Sequence, residues 1–182
     1  MQLVAEIQSC IFVVMAKIIG IGGASRSGKS LLAKKLKDHF VSKRLLILDQ
    51  DDFVKPDDQL PSIQDRIDWE HPDSIDLHSL TSSLLKASKE FDIVIVEGLL
   101  AFYFDELNKH YDFSIYVEIS KETFLFRRQQ ETRWGVEPKW YIEHVWISHL
   151  IFGQFSDAHI VLSGENEWTE HSFHEIIHHP KF

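Results

Sequence analysis

Eight consecutive residues constrain this chain more than any others. Gly23-Ala24-Ser25-Arg26-Ser27-Gly28-Lys29-Ser30 follows the pattern G-x-x-x-x-G-K-[ST]. Before it, Lys17-Ile18-Ile19-Gly20-Ile21-Gly22 is short and rich in β-branched residues, which predicts a buried strand. After it, Leu31, Leu32, Leu36 and Phe40 fall near helical spacing, with Lys34, Lys35 and Lys37 between them. Strand, glycine-rich loop and helix together are the setting in which this pattern cradles a polyphosphate. Small residues let successive backbone N–H groups turn inward, and the helix N-terminus adds partial positive charge. Lys29 is expected to reach the β- and γ-phosphates, and the Ser30 hydroxyl to ligate Mg²⁺. The nucleotide contacts are expected to run from Gly23 through Ala24, Ser25, Arg26, Ser27, Gly28, Lys29 and Ser30 to Leu31.

The remaining pattern alternates strands and helices. Strands are predicted at 45–48, 91–96, 113–119 and 158–162, and helices from near Pro72, after Ser120, over 140–152 and over 169–178. Residues 57–68 read as a polar loop over the site. Such alternation predicts an α/β fold with a parallel sheet covered by helices on both faces. Ligands of these sheets bind beyond the carboxyl ends of the strands. Three of the predicted strands end there with polar groups, at Gly23, at Asp49/Asp51/Asp52 and at Glu97. One carboxylate could take the proton of an attacking hydroxyl, and another could hold Mg²⁺.

At 182 residues a single domain is expected, with residues 1–14 outside the functional fold because Met15-Ala16-Lys17 begins the first strand. A net charge of −9 argues against a broad nucleic-acid-binding face. No stretch reaches the roughly 18 apolar residues of a membrane span. The single cysteine, Cys10, rules out an intrachain disulfide and fits a cytoplasmic setting. His171, His174 and His178 share a helix face, but no cysteine or carboxylate completes an obvious zinc site, and a solvated face is expected.

With these residues in view, the chain from about Lys17 onward resembles the uridine kinase and nicotinamide riboside kinase group of P-loop kinases. Asp49-Gln50-Asp51-Asp52-Phe53-Val54-Lys55-Pro56 resembles the nicotinamide riboside kinase segment Q-D-D-F-[FY]-K-P, which implies Asp51 as catalytic base. Trp69-Glu70-His71-Pro72-Asp73-Ser74 resembles the segment in which an aromatic residue flanks the base and the next acid binds ribose. Glu70 stands where an aspartate is usual. Val96-Glu97-Gly98-Leu99-Leu100-Ala101-Phe102 resembles the shared V-[ED]-G-[FI]-L-x-F segment, with Glu97 beside Ser30 at the metal. Arg127-Arg128 and Thr132-Arg133 resemble the lid arginines, in a lid near 127–139 that is one residue longer. The resemblance implies that Arg127 contacts the nucleotide and that Arg128 and Arg133 join Lys29 in catalysis. Trp134 would join Trp69 at the acceptor.

The resemblance implies a P-loop NTPase fold, a five-stranded parallel sheet with a short lid, and ATP and Mg²⁺ as cofactors. The implied reaction is phosphorylation of a ribonucleoside 5′-hydroxyl, with nicotinamide riboside the leading acceptor. Uridine, cytidine or another small metabolite is the alternative. Uridine kinases carry a hairpin insertion for which 76–91 leaves room for little beyond one helix. A GTPase-like switch or a silent nucleotide-binding module is the reading from another class. The former needs N-K-x-D, and Asn108-Lys109-His110-Tyr111 puts tyrosine at the position that must accept from guanine.

Overall fold

The computed structural model describes residues 15–131 and 135–182. The expectations for residues 1–14, Arg133 and Trp134 lie outside the described residues. One five-stranded sheet organises the rest. Its strands are β1 (Lys17–Gly23), β2 (Leu45–Asp49), β5 (Ile93–Glu97), β6 (Phe113–Glu118) and β7 (Ile160–Ser163), in the order β2-β5-β1-β6-β7. Every pairing is parallel.

Period-two alternation splits each central strand between two cores. Ile19 and Ile21 of β1, Ile93 and Ile95 of β5, and Phe113 and Ile115 of β6 point to one face. There α1 (Lys29–His39) inserts Leu32, Ala33 and Leu36, all fully buried. Ile18, Val94 and Val96 point to the other face, against Leu80 and Leu84 of α2 (Leu77–Glu90). A third cluster joins Phe124 of α4 (Lys121–Gln129) to Tyr141, Ile142 and Val145 of α5 (Lys139–Phe152). The chain ends in α6 (Glu170–Ile177), which Thr169 caps by accepting from the Ser172 N–H. This is the α/β P-loop NTPase architecture that the alternation and the loop pattern predict.

Three local features differ from expectation. Pro72 opens a 3₁₀ turn over Pro72–Ser74, not the long helix; α2 starts at Leu77, where Asp76 caps it by accepting from the Ser79 N–H at 3.0 Å. The polar loop after β2 contains a small antiparallel hairpin, β3 (Ser62–Ile63) with β4 (Arg66–Ile67), closed at Gln64 with φ 52°. A short helix, α3 (Asp105–Asn108), precedes β6. Among the described residues no helix is long and apolar enough to cross a membrane.

Candidate active site

Parallel pairing puts the carboxyl ends of β1, β2 and β5 side by side, with Asp49 opposite Glu97 in register. Everything polar that follows these strands converges on one edge of the sheet. The loop after β1 takes its shape from two glycines. Gly23 has φ 140°, and a Cβ there would stand 2.2 Å from the Val117 carbonyl oxygen. Gly28, with φ 101° and ψ 15°, turns the chain into α1 as its N-cap. Between them Ser27 is fully buried, and its hydroxyl has no hydrogen-bond partner among the described residues. Arg26 also takes positive φ, 64°. Leu31, half exposed in the first turn of α1, lies outside the core.

Lys29 is buried, and its ammonium donates to the Ala24 carbonyl at 2.9 Å, across the mouth of the loop. The Ser30 hydroxyl is near enough to the Glu97 carboxylate to favour its charged form. Glu97 is 2% exposed, and burial raises its pKa, opposed by the charge of Lys29 and the Ser30 hydroxyl. The charges of Asp49 and Asp51 push it further up. Ser30 and Glu97 are hard oxygen donors near one another, which fits a small divalent cation whose shell would be completed by water and phosphate oxygens.

The aspartate cluster separates into different tasks. Asp49 ends β2, and its carboxylate accepts from the Asp51 N–H at 3.0 Å, capping a 3₁₀ turn over Gln50–Phe53. Asp51 projects from that turn. Its residue surface is open, yet the surrounding protein desolvates the carboxyl and raises its pKa. Asp49 adds to the rise, and Lys29 and Arg128 oppose it. The same charges reach Glu70, whose pKa is pushed up to about 7, first by desolvation and then by Asp51, against the pull of Arg128. Glu70 keeps some residue surface, but the protein packed around its carboxyl controls the titration. Trp69, 45% exposed, offers a flat face beside it, and its carbonyl accepts from the buried Ser74 hydroxyl at 3.0 Å.

The arginines of α4 are docked on the phosphate loop. Arg127 donates to the carbonyls of Arg26 and Glu165, each at 3.0 Å, bridging the loop and the turn after β7. Arg128 donates to the Ser25 hydroxyl at 3.0 Å through one nitrogen. Its other two hold Glu137 in a bidentate pair at 2.7 and 2.8 Å. Burial works against the arginine's charge, but Glu137 and Glu70 together raise its pKa. Arg26 pairs with Glu131 at 2.7 Å, a third link between the loop and the end of α4. Lys29, Asp51, Glu70 and Arg128 therefore lie within electrostatic reach of one another. Sequence reasoning missed Glu137, Glu131 and Glu165. The polar break after α4 was visible, but no spacing ties an acid there to a particular arginine.

Asn108 and Tyr111, in the segment with the partial guanine pattern, are occupied structurally. The Asn108 amide donates to the Phe102 carbonyl at 2.9 Å and the Tyr111 hydroxyl to that of Ala101 at 2.8 Å.

Comparison with known proteins bears on the family and the fold. The family model described as "Phosphoribulokinase / Uridine kinase family" matches residues 78–133, from α2 through the end of α4. A uridine kinase of Geobacillus kaustophilus is 27% identical over 138 residues, 61% of this chain and 64% of that one. Human nicotinamide riboside kinase 1 is 27% identical over 154 residues, 75% of this chain and 76% of its own. The chain thus spans somewhat under two thirds of the uridine kinase. Among solved structures, a possible uridine kinase from Bacillus stearothermophilus superposes with a TM-score of 0.56 at 17% identity, covering 84% of this chain and 91% of that one. Fold, loop geometry and sequence similarity agree that the chain is a P-loop kinase homologue related to the phosphoribulokinase/uridine kinase family.

Proposed function

We propose that residues 15–182 form one kinase unit, with its lid near 127–139, that transfers the γ-phosphate of ATP to the 5′-hydroxyl of a ribonucleoside, nicotinamide riboside foremost. The observation that carries this reading is the joint placement of Asp51 and Glu70 against Lys29 and Arg128. A nucleotide-binding switch needs the phosphate loop, but has no use for two carboxylates facing its phosphate-binding charges.

Each side chain has a task in the reaction. Backbone N–H groups of residues 23–30 and the Lys29 ammonium hold the phosphates, with Lys29 leaving the Ala24 carbonyl to do so. Arg128, aimed at the loop through Ser25, would place positive charge near the transferring phosphoryl group as negative charge shifts in the transition state. Ser30 and Glu97 would hold Mg²⁺, which would supply positive charge to offset that of the phosphates. Glu70 accepts hydrogen bonds from ribose hydroxyls, and Trp69 lies against the base. Asp51 takes the proton as the acceptor oxygen bonds to the γ-phosphorus and the bond to the ADP oxygen breaks. The raised pKa of Asp51 suits it to take a proton without remaining a strong acid.

The direct route from α2 into β5 through Phe91 and Asp92 leaves no inserted hairpin there, which favours nicotinamide riboside over uridine on the resemblance described above. The similarity to uridine kinases keeps uridine and cytidine as the second reading. A panel of nicotinamide riboside, uridine, cytidine and adenosine, scored by ADP release with ³¹P NMR of the product, tests both. Turnover of nicotinamide riboside to its 5′-phosphate supports the proposal. Release of ADP at the same slow rate with every nucleoside as with water removes it.

A further inference from the structure

Asp68 is buried, just ahead of Trp69 and Glu70, in a segment of otherwise open character. A carboxylate in that position needs a partner to offset its desolvation. The partner comes from α5. His144, in the second turn of α5, places Nε2 2.8 Å from Asp68 Oδ1, and the two side chains keep only 18% and 10% of their surface. The same oxygen accepts from the Glu70 N–H at 3.3 Å, and the Asp68 N–H donates to the Pro61 carbonyl at 2.8 Å. The preceding hairpin leans on the same helix, with the Arg66 guanidinium 5.5 Å from the Tyr141 ring centre. The acceptor stretch lacks regular secondary structure, so these side-chain bonds do what a strand ladder does elsewhere.

We infer that Asp68 and His144 are positioning residues for the acceptor: the pair clamps the Trp69–Glu70 stretch to α5 and so sets where the nucleoside lies relative to Asp51. This rests on the acceptor assignment proposed above. The pair touches neither phosphates nor reacting atoms. It fixes the backbone N–H of Glu70, and with it the direction in which the Glu70 carboxylate leaves the chain. α5 belongs to the same packed cluster as α4, through Phe124, Tyr141 and Val145, so the clamp ties acceptor geometry to the helix that carries Arg128. Loosening it should cost the acceptor its ordered site while leaving the phosphate loop, which is built from β1 and α1, untouched.

The test uses the full chain and four proteins: wild type, His144→Ala, His144→Gln and Asp68→Asn. Gln can place an amide N–H near the position of Nε2. With nicotinamide riboside as the probe, His144→Ala is expected to raise the acceptor KM about 10-fold or more, with kcat and the KM for ATP within about threefold of wild type. His144→Gln should recover most of that loss, and Asp68→Asn should raise the acceptor KM without rescue. Equal loss in kcat and both KM values, an unmoved acceptor KM, or no recovery in His144→Gln overturns the assignment. Amide hydrogen exchange reads the clamp without any acceptor. In His144→Ala, exchange should quicken at least 10-fold across residues 66–75 and stay unchanged across 93–97. Unchanged exchange at 66–75 refutes the clamp even where turnover is too slow to measure. A wild type inactive on every nucleoside, with exchange responding as expected, sinks the acceptor reading and leaves the clamp standing.

Discussion

The two halves of the candidate cleft are built in opposite ways. The phosphate half is a loop clamped between a central strand and a helix whose Leu32, Ala33 and Leu36 are wholly inside the core. The acceptor half, residues 49–76, holds Asp51 on a four-residue 3₁₀ turn, and Glu70 between a hairpin of two-residue strands and another short turn. Beyond the hairpin and an antiparallel bridge between Val54 and Ile75, its order comes from single side-chain bonds: Asp49 to the Asp51 N–H, Ser74 to the Trp69 carbonyl, Asp68 to His144. Backbone that forms part of a buried core cannot change without cost to the fold, whereas a surface segment tied by a few side chains can. A shared phosphate half and an adjustable acceptor half follow from that difference. Substitutions in the first should therefore affect every acceptor alike, and those in the second should discriminate.

Lys29→Ala is the strongest way to break the comparison. It removes the buried charge at the mouth of the loop and should lower turnover by about 10²–10³-fold or more, equally for all nucleosides. Circular dichroism and thermal melting check that the fold survives. Loss that differs between nucleosides would show that the phosphate half is not generic.

Asp51→Asn comes next, with about 10²-fold lower kcat and little change in ATP affinity measured by isothermal titration. Asp49→Asn makes the internal contrast. Its side chain caps a turn, and an asparagine oxygen can accept the same bond, so stability should change by less than about 0.5 kcal/mol and most of the rate should remain. Should Asp49→Asn carry the rate loss and Asp51→Asn none, the base is the other aspartate.

These contrasts also mark what the sequence could disclose. The phosphate half was legible because its chemistry is local: eight residues, a preceding strand and a following helix suffice to specify it. The sheet was legible for the same reason, since Ile18 to Ile21 and Ile93 to Val96 announce strands buried on both faces. Pro72 misled because proline favours a first helical turn, while Asp76, four residues on, is the better cap and sets where α2 begins. The hairpin at 62–67 escaped notice because two-residue strands leave no periodicity to read. Glu137 and His144 escaped for another reason. Their partners, Arg128 and Asp68, are 9 and 76 residues away, and only tertiary packing, of α5 against α4 and of the loop after β2 against α5, brings them together.

Trp69→Ala sharpens the comparison at the level of selectivity. A ring carrying positive charge gains from an aromatic face by about 0.5–2 kcal/mol, and a neutral base gains less. Removing the indole should narrow the kcat/KM advantage of nicotinamide riboside over uridine by about 2- to 30-fold. It should leave the KM for ATP alone. A ratio that does not move would show that the half-exposed ring does not meet the base.

The smallest expected effect lies in the pH dependence of stability, and it reads the acceptor half without any substrate. Glu70 titrates near 7 in the folded chain against an ordinary value of 4.5, because desolvation and Asp51 outweigh Arg128. Below 4.5 the carboxyl is protonated in both states and contributes nothing to the balance. Between 4.5 and 7 the unfolded chain releases the proton while the folded chain keeps it, so folding stability falls as pH rises through this window. Above 7 both states are ionised, and the full penalty of holding a buried charge remains. Glu70→Gln removes that penalty. It should match wild type near pH 4 and exceed it near pH 8 by about 1–2 kcal/mol, the partly open position reducing the effect through solvent screening. Urea melts at the two pH values measure the difference. The same titration should appear in activity, where kcat/KM for the nucleoside rises through about pH 7 as Glu70 gains the charge it needs to accept from ribose hydroxyls. Glu70→Gln should lose that rising limb. A variant equally stable with wild type at both pH values would mean that the Glu70 carboxyl is solvated, and that the acceptor half is looser than the bonds around it imply.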